Sequence, residues 1–166
     1  GLPPQAHVVA RRGCDPAPGD PTDPATRETL TASVWADQQD RHARLKGALD
    51  LAAAVPAELS TDRAGPWLQQ QLAARPEGVL TAVTHSVVWR YLPSEEQSQV
   101  TQSLAQHGAQ ATPTSPLVWL RLEPAPPLVT YDGRPYPLTA TTWPGGDTVV
   151  LARAQAHGQD LRWSAA

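Results

Sequence analysis

The stretch VLTAVTHSVV, residues 79–88, decides the fold class of this chain. It is short, apolar and rich in β-branched side chains, which is typical of a β-strand. Its nearly continuous apolar character favours a central strand that is covered on both faces, as in a parallel sheet. A second run of this kind, LVWLRL at residues 117–122, predicts another buried strand.

Weaker signals on both sides of these two strands predict the remaining elements. Residues 6–11 are an expected early strand, followed by a turn at Gly13-Cys14-Asp15-Pro16. The sequence PGGD at residues 144–147 indicates a hairpin, because its glycines supply positive φ. The other predicted elements are a helix opening at Asp23-Pro24, a helix over residues 38–54, a helix capped by Thr61 or Asp62, a helix over residues 94–108, hairpin strands over residues 138–143 and 148–154, and a short strand over residues 161–163.

This order of elements predicts an α/β fold with a mixed, mostly parallel sheet. Early alternation of strands and helices favours parallel pairing with helices on both faces, and the late hairpin adds a C-terminal antiparallel edge. The length of 166 residues is enough for one domain with its own core. Residues 1–166 are therefore expected to form a single α/β domain.

The sequence also predicts how three helix ends are capped. Asp23 is placed as the N-cap of the first helix, with Pro24 at the first helical position. Ser94 followed by Gln97 has the spacing of a capping box, in which each side chain bonds a backbone N–H of the first turn. Gly108 stands where a helix often ends in a left-handed residue, which glycine adopts without strain.

The composition excludes several classes of protein. The net charge is −3 and no basic run is visible, so nucleic acid is not an expected partner. The single cysteine rules out an intrachain disulfide and any multi-cysteine metal site, and the five histidines show no metal spacing. No apolar run approaches the roughly 20 residues that span a bilayer, and no signal peptide is visible at the start. A cytoplasmic protein without membrane contact and without a metal is therefore expected.

Polar residues follow three of the predicted strands. Cys14 and Asp15 come after the first strand, His85 and Ser86 end the 79–84 run, and Glu123 comes after the 117–122 strand. Ligands of open α/β sheets bind beyond the carboxyl ends of the parallel strands. If these strands are parallel neighbours, the polar residues converge on one edge of the sheet.

Each of these residues has a functional and a structural interpretation. Asp15 either accepts hydrogen bonds from the ribose hydroxyls of a nucleotide-type ligand or caps the turn at Pro16. Cys14 is either a nucleophile, activated by its basic neighbours, or a small buried side chain. His85 is either a general base or a structural histidine in the wall of a pocket. Neighbouring residues of a strand point to opposite faces, so His85 is not expected to activate Ser86.

Arg121 lies in the second buried strand. There, Trp119, Arg121 and Glu123 alternate onto one side of the strand. A buried arginine without a partner would be too unfavourable, so Arg121 is expected to be either paired within the domain or exposed at its edge. Together with Ser86 and Glu123, it is a predicted pocket residue.

A series of motifs resembles an uncharacterised bacterial family of unknown function. The motifs are RGCDP at residues 12–16, VWADQ at 34–38, HSVVWRYL at 85–92, WLRLEP at 119–124, WPGG at 143–146 and HG at 157–158. The resemblance implies a longer protein, of which this chain is the C-terminal portion. It also implies a fold similar to part of a Rossmann-type S-adenosylmethionine-dependent methyltransferase, whose glycine turn would precede Gly1.

The resemblance implies roles for the same residues. Asp15 and Cys14 would bind S-adenosylmethionine or a related nucleotide, and His85 would be the base that acts on the methyl acceptor. A non-catalytic module that binds a metabolite or a protein is the alternative, and a hydrolase using Cys14 or Ser86 is the third hypothesis. A missing first strand would leave an exposed parallel strand, through which a homodimer is expected to form.

Overall fold

The computed structural model describes residues 7–125 and 133–164. These form two compact units, Gly1–Arg63 and Ala64–Ala166. The first unit contains strand β1 (Arg12–Asp15), helix α1 (Pro24–Ala32), helix α2 (Gln39–Ala54) and strand β2 (Glu58–Thr61). The second contains helix α3 (Ala64–Ala73), strand β3 (Thr81–Ser86), helix α4 (Ser94–Gly108), and strands β4 (Leu117–Leu122), β5 (Tyr136–Trp143), β6 (Asp147–Ala154) and β7 (Arg162–Trp163).

The first unit is built on a two-stranded parallel sheet. Strand β1 pairs with β2, so that Arg12 lies opposite Glu58 and Asp15 opposite Thr61. Asp23 caps α1 as expected, because its carboxylate accepts hydrogen bonds from the backbone N–H groups of residues 25 and 26. The hydrogen bonds from Thr26, followed by that from residue 25, hold the pKa of Asp23 below its usual value.

The early strand does not lie where the sequence predicted it. Ala6 lies outside the described residues, and residues 7–11 form no regular structure, with Val8 and Val9 exposed. The strand begins only at Arg12, because its position is set by pairing with β2. Strand β2 was not predicted, since its sequence ELST offers four residues without an apolar run. Gly13 and Cys14, expected in a turn, therefore lie within a strand.

The second unit contains a five-stranded mixed sheet in the order β3-β4-β5-β6-β7. Strands β3 and β4 are parallel, as expected for two strands joined through a helix, here α4. The pairings β4 with β5, β5 with β6 and β6 with β7 are antiparallel. The prediction of a mixed sheet with a late hairpin is thus confirmed, whereas that of a mostly parallel sheet is wrong for this unit. The turn between β5 and β6 is too short for a parallel connection.

Helices α3 and α4 pack on one face of this sheet. Their apolar residues form one core cluster with the same face of β4, comprising Leu68, Leu72, Val100, Leu104, Ala111, Leu117 and Trp119. Val83 of β3 packs against this cluster. The intervening β3 residues Ala82, Thr84 and Ser86 are exposed and lie on the opposite face. Within the described part of this unit, the helices that contribute to the core share one face, so helices on both faces are not confirmed.

The capping box predicted for α4 does not form. Pro93 is the N-cap residue and the cap has no side-chain hydrogen bond. Instead, Gln97 Nε2 donates to the backbone oxygens of Trp89 and Leu92, at 3.0 Å each. These hydrogen bonds connect the first turn of α4 to the segment that follows β3. This contact helps to position the carboxyl end of that strand.

Gly108 is a helical residue and not a left-handed cap. It is the last residue of α4 and is absent from the described glycines with positive φ, whereas Gly145 and Gly146 of the hairpin have φ values of 122° and 84°. A Cβ added to Gly108 would lie 2.6 Å from ring atoms of Trp143. Glycine is needed here because the end of α4 packs directly on an indole ring.

This packing predicts that Gly108→Ala destabilises the protein. The added methyl group must displace the indole ring of Trp143, and such overpacking lowers the free energy of unfolding by about 1–3 kcal/mol. Urea denaturation measures the change. Gly47→Ala is the matched control, because Gly47 lies in α2 with nothing within 4 Å of an added Cβ. The control should be neutral or stabilising, by up to about 1 kcal/mol; equal losses in both variants would contradict the proposed clash.

Candidate functional site

A cluster of polar and aromatic side chains lies at the carboxyl ends of β3 and β4. His85 is the fifth residue of β3 and lies directly opposite Arg121 in the parallel register. Both belong to the sheet face that packs against the helices, together with Val83 and Trp119 two residues earlier. Glu123 follows β4 immediately. Parallel pairing thus brings together His85 and Glu123, as predicted from their positions at the strand ends.

His85 and Glu123 form a hydrogen-bonded pair. The distance from His85 Nδ1 to Glu123 Oε1 is 2.7 Å, and the two side chains are only 15% and 14% exposed. Because an ionised carboxylate can only accept hydrogen bonds, Nδ1 carries the proton in this pair. The carboxylate therefore fixes the orientation of the ring, and it directs Nε2 away from Glu123.

The backbone after β3 also binds this carboxylate. The N–H groups of Val88 and Trp89 donate to Glu123 Oε1 at 3.0 and 3.3 Å. They face the oxygen because Val87 has φ of 54° and Val88 returns to the right-handed helical region. Successive left-handed and right-handed residues form a nest, a small concave surface of backbone N–H groups that binds anions.

Val87 is strained in this position. A β-branched residue with positive φ is a genuine outlier, and such conformations cost on the order of 1–3 kcal/mol. The N–H of Val87 donates to the oxygen of Leu122 at 3.1 Å, which extends the link between the two strand ends. The N–H groups of the strained turn thus bind the Glu123 carboxylate, and this binding stabilises the turn at the edge of the sheet.

Two indole rings pack against the histidine. Trp89 stacks on His85, with ring centroids 5.4 Å apart and an angle of 16° between the planes. Trp119 lies at 5.8 Å from His85 in a tilted arrangement, and the two indole rings are 5.6 Å apart. The imidazole therefore contacts a carboxylate at Nδ1, one indole ring stacked on its face and a second, tilted indole ring beside both.

Arg121 lies over the indole ring of Trp119. Its Cζ atom is 4.0 Å from the centroid of the indole ring, which is the geometry of a cation–π contact. Burial lowers the pKa of the Arg121 guanidinium, and the negative charge of Glu123 partly opposes this shift. Arginine nevertheless keeps its charge in proteins. The site thus contains a half-buried permanent cation.

Four buried polar atoms of this cluster have no hydrogen-bond partner. They are His85 Nε2, Trp119 Nε1, Arg121 Nε and Glu123 Oε2. Buried polar atoms without a partner are rare in proteins, and each costs about 1–3 kcal/mol. Their occurrence on four adjoining residues indicates a place where a ligand or water completes the hydrogen bonding.

The sheet face that carries His85 and Arg121 does not include Ser86, Cys14 or Asp15. Ser86 is exposed on the opposite face of β3 from His85, as strand alternation predicted. Cys14 and Asp15 belong to β1, which pairs with β2 in a separate two-stranded sheet. The prediction that they end a strand of the same sheet as His85 is therefore wrong, because β1 was expected in the main sheet.

The structural interpretation of Asp15 has direct support. Its Oδ1 atom accepts a hydrogen bond of 2.7 Å from the N–H of Ala17, so the carboxylate caps the turn that contains Pro16. The side chain of Cys14 is half-buried. Whether either residue binds a cofactor stays a prediction.

Sequence reasoning missed the nest and the position of Trp89. Trp89 packs against the core cluster from a 3₁₀ turn at Trp89–Tyr91, outside the strand. A signal was present in Pro93, because a proline so soon after the apolar run limits the length of the strand. The positive φ of Val87 had no signal, since valine is among the least expected residues there.

Residues 7–125 and 133–164 contain neither a cluster of metal ligands nor a membrane-spanning helix. No group of three or more His, Cys, Asp or Glu side chains is arranged to hold a metal ion. None of the helices described is both long enough and apolar enough to cross a membrane.

Comparison with known proteins assigns the chain to a family without assigning an activity. The chain belongs to the family described as "Uncharacterized protein conserved in bacteria (DUF2332)", whose model matches residues 1–163. No curated protein matches the chain, and no solved structure matches it either. The expected bacterial family of unknown function is thus confirmed, whereas the methyltransferase resemblance has no support from these comparisons.

The site predicts a specific loss of stability in Glu123→Ala. This change removes the acceptor of His85 Nδ1 and of two backbone N–H groups, so the free energy of unfolding should fall by about 1–3 kcal/mol. Urea denaturation followed by tryptophan fluorescence measures it. Glu77→Ala, at an exposed loop residue of the same unit, is the control and should stay within about 0.5 kcal/mol of the parent. A loss no larger than that of the control would count against the anchoring role of Glu123.

Proposed function

We propose that this protein binds a small molecule at the carboxyl ends of β3 and β4, with His85 as a general base. The observation that carries the proposal is His85 Nε2, a buried ring nitrogen without a partner on a ring whose other nitrogen is held by Glu123. A histidine oriented in this way has its lone pair at Nε2 available for a proton.

The surroundings of His85 suit proton transfer. When Nε2 takes a proton from a ligand hydroxyl or amine, the ring becomes a cation. The Glu123 carboxylate, 2.7 Å from Nδ1, stabilises that charge directly. The stacked ring of Trp89 adds a cation–π contribution. Glu123 and Trp89 are thus already placed to stabilise the positive charge that develops on His85 during proton transfer.

Methyl transfer is the reaction that the sequence resemblance favours, and we retain it as the first case to test. Bound S-adenosylmethionine would supply the methyl group, and His85 would remove the proton from its acceptor. Asp15 and Cys14 remain the proposed cofactor residues. The exposed carboxylate of Asp15 suits ribose hydroxyls chemically, although one of its oxygens already accepts the Ala17 N–H.

A non-catalytic binding module is the second candidate, and one observation favours it. His85 Nε2 is buried in this structure, so the atom is inaccessible to a substrate unless Trp89 or a neighbouring segment moves. In that case the pair of His85 with Glu123 would serve to hold the strand ends together.

The variant His85→Asn separates the two candidates. The asparagine amide can still donate to Glu123, but it has no equivalent of Nε2. If His85 is the base, turnover in a screen of methyl acceptors with S-adenosylmethionine should fall by about 10²- to 10⁴-fold while cofactor binding, measured by calorimetry, is unchanged. Asp15→Ala should instead weaken cofactor binding.

Each outcome of this experiment has a distinct meaning. Full turnover in His85→Asn would remove the general-base role. Absence of cofactor binding by the full-length protein at millimolar concentration, for the parent and Asp15→Ala alike, would remove methyl transfer. Absence of any turnover together with retained ligand binding would favour the non-catalytic module.

We also propose association of two copies through a sheet edge. Strand β3 pairs only with β4 in the described sheet, and an edge strand of this kind offers backbone groups for pairing with another chain. Light scattering of the 166-residue chain should therefore show a dimer whose population rises with concentration. A monomer over the whole concentration range would contradict this proposal.

A further inference from the structure

The unpartnered atoms of the site specify what kind of ligand could complete it. Arg121 Nε and Trp119 Nε1 can only donate hydrogen bonds, since neither group has a lone pair to offer. Glu123 Oε2 can only accept while the carboxylate is ionised. When the ring is neutral, His85 Nε2 also accepts, because the ring proton is then on Nδ1, bonded to Glu123. The ligand must therefore supply both acceptor atoms and a donor.

The charge of the site restricts the ligand further. No carboxylate forms an ion pair with Arg121 among the residues that the structure describes. Glu123 Oε1 already accepts three hydrogen bonds, from His85 and from the N–H groups of Val88 and Trp89. The negative charge of Glu123 acts on Arg121 only from beyond ion-pair distance, where it raises the pKa of the guanidinium. None of the described carboxylates binds the guanidinium directly, so an anionic group of a ligand can pair with it.

The orientation of Arg121 suits an anion with flat or forked oxygens. The guanidinium lies with its Cζ atom 4.0 Å from the centroid of the Trp119 ring, and stacking on an aromatic ring leaves the N–H groups at its rim available. The indole N–H belongs to the same ring. Carboxylate and phosphoryl oxygens are the groups that arginine binds most strongly in this way.

We propose that the ligand of this site carries an oxyanion, bound by Arg121 and Trp119, next to a hydroxyl or amine that donates to His85 Nε2. This inference rests on the proposed function of His85 and adds the substrate class to it. Glu123 Oε2, on the other side of the imidazole from Nε2, accepts a proton from a water or from a separate donor of the ligand. The oxyanion holds the ligand, and the neighbouring hydroxyl or amine is the group that loses its proton.

Titration of the 166-residue chain with simple probes tests the oxyanion part directly. Sodium glycolate represents a carboxylate with an adjacent hydroxyl, and inorganic phosphate represents a phosphoryl group. Both are added at constant ionic strength against sodium chloride while ¹H–¹⁵N spectra follow the side-chain N–H of Trp119 and Arg121. We expect both resonances to shift saturably, with smaller shifts at the other tryptophans.

The two probes distinguish the sources of the oxyanion. Saturation by glycolate alone assigns a carboxylate ligand, saturation by phosphate alone assigns a phosphoryl ligand, and saturation by both supports the shared oxyanion chemistry. Shifts that are linear in concentration, or equal to those in sodium chloride, overturn the proposal.

Two arginine variants supply the matched comparison. Arg121→Gln should weaken binding of the saturating probe by about 10- to 100-fold, because it removes a charged donor. Arg75 also has a buried, unpartnered nitrogen, but it lies between α3 and β3, at the opposite end of the strand from His85. Arg75→Gln should bind like the parent, and equal weakening in both variants would overturn the assignment. If Arg121→Gln does not fold, Arg121→Lys keeps the charge and loses the planar fork.

The same measurements separate this inference from the proposed function. His85→Asn should retain oxyanion binding, because Arg121 and Trp119 are unchanged. Saturable binding combined with full turnover in His85→Asn would refute the base and leave the oxyanion site. Loss of turnover in His85→Asn without any oxyanion binding would refute the oxyanion site and leave the base.

Discussion

The structure of the candidate site depends on one carboxylate, that of Glu123. Its Oε1 atom accepts hydrogen bonds from His85 Nδ1 and from the N–H groups of Val88 and Trp89. These donors come from the end of one strand and from the turn that follows it, whereas Glu123 belongs to the neighbouring strand. The carboxylate therefore fixes the relative position of two strand ends, and the strained turn at Val87 is tolerated because its N–H groups find an anion.

Parallel pairing of β3 and β4 is what makes this contact available. The carboxyl ends of parallel strands meet at one edge, so residues that are about 38 positions apart become neighbours. Helix α4 supplies the crossover, and Gln97 fastens the beginning of that helix to the carbonyls of residues 89 and 92. The core cluster beneath the sheet then holds the helix against the same face. The site is thus supported by strands β3 and β4 and by helix α4, although part of it lies on the turn after β3.

Much of the second unit could be predicted from the sequence, because its elements depend on local patterns. The buried strand Leu117–Leu122 was predicted with its observed bounds, and the hairpin at residues 144–147 was confirmed because its glycines adopt positive φ. The pair of His85 with Glu123 followed from two strand ends in one sheet. The sequence did not predict how many strands pair antiparallel, because pairing direction depends on contacts between distant segments.

The first unit shows where local patterns were insufficient. The apolar run before Arg12 was chosen as the early strand, yet the strand forms where β2 can pair with it, and β2 itself has a weak signal. Cys14 and Asp15 were therefore expected at a strand end of the main sheet and lie instead in a separate sheet. A single error in strand position thus assigned Cys14 and Asp15 to the wrong sheet.

The remaining question is whether stability alone could account for the cluster around His85. Buried charged and polar groups can often be replaced by well-packed apolar residues without loss of stability, and frequently with a gain. Here Arg121, Trp119, His85 and Glu123 each leave a buried polar atom without a partner, beside a valine in a strained conformation. A concentration of such departures from local rules at one edge of a sheet is typical of a functional site. The unpartnered polar atoms make the cluster unfavourable for stability alone. A ligand that completes their hydrogen bonds explains why the chain retains it.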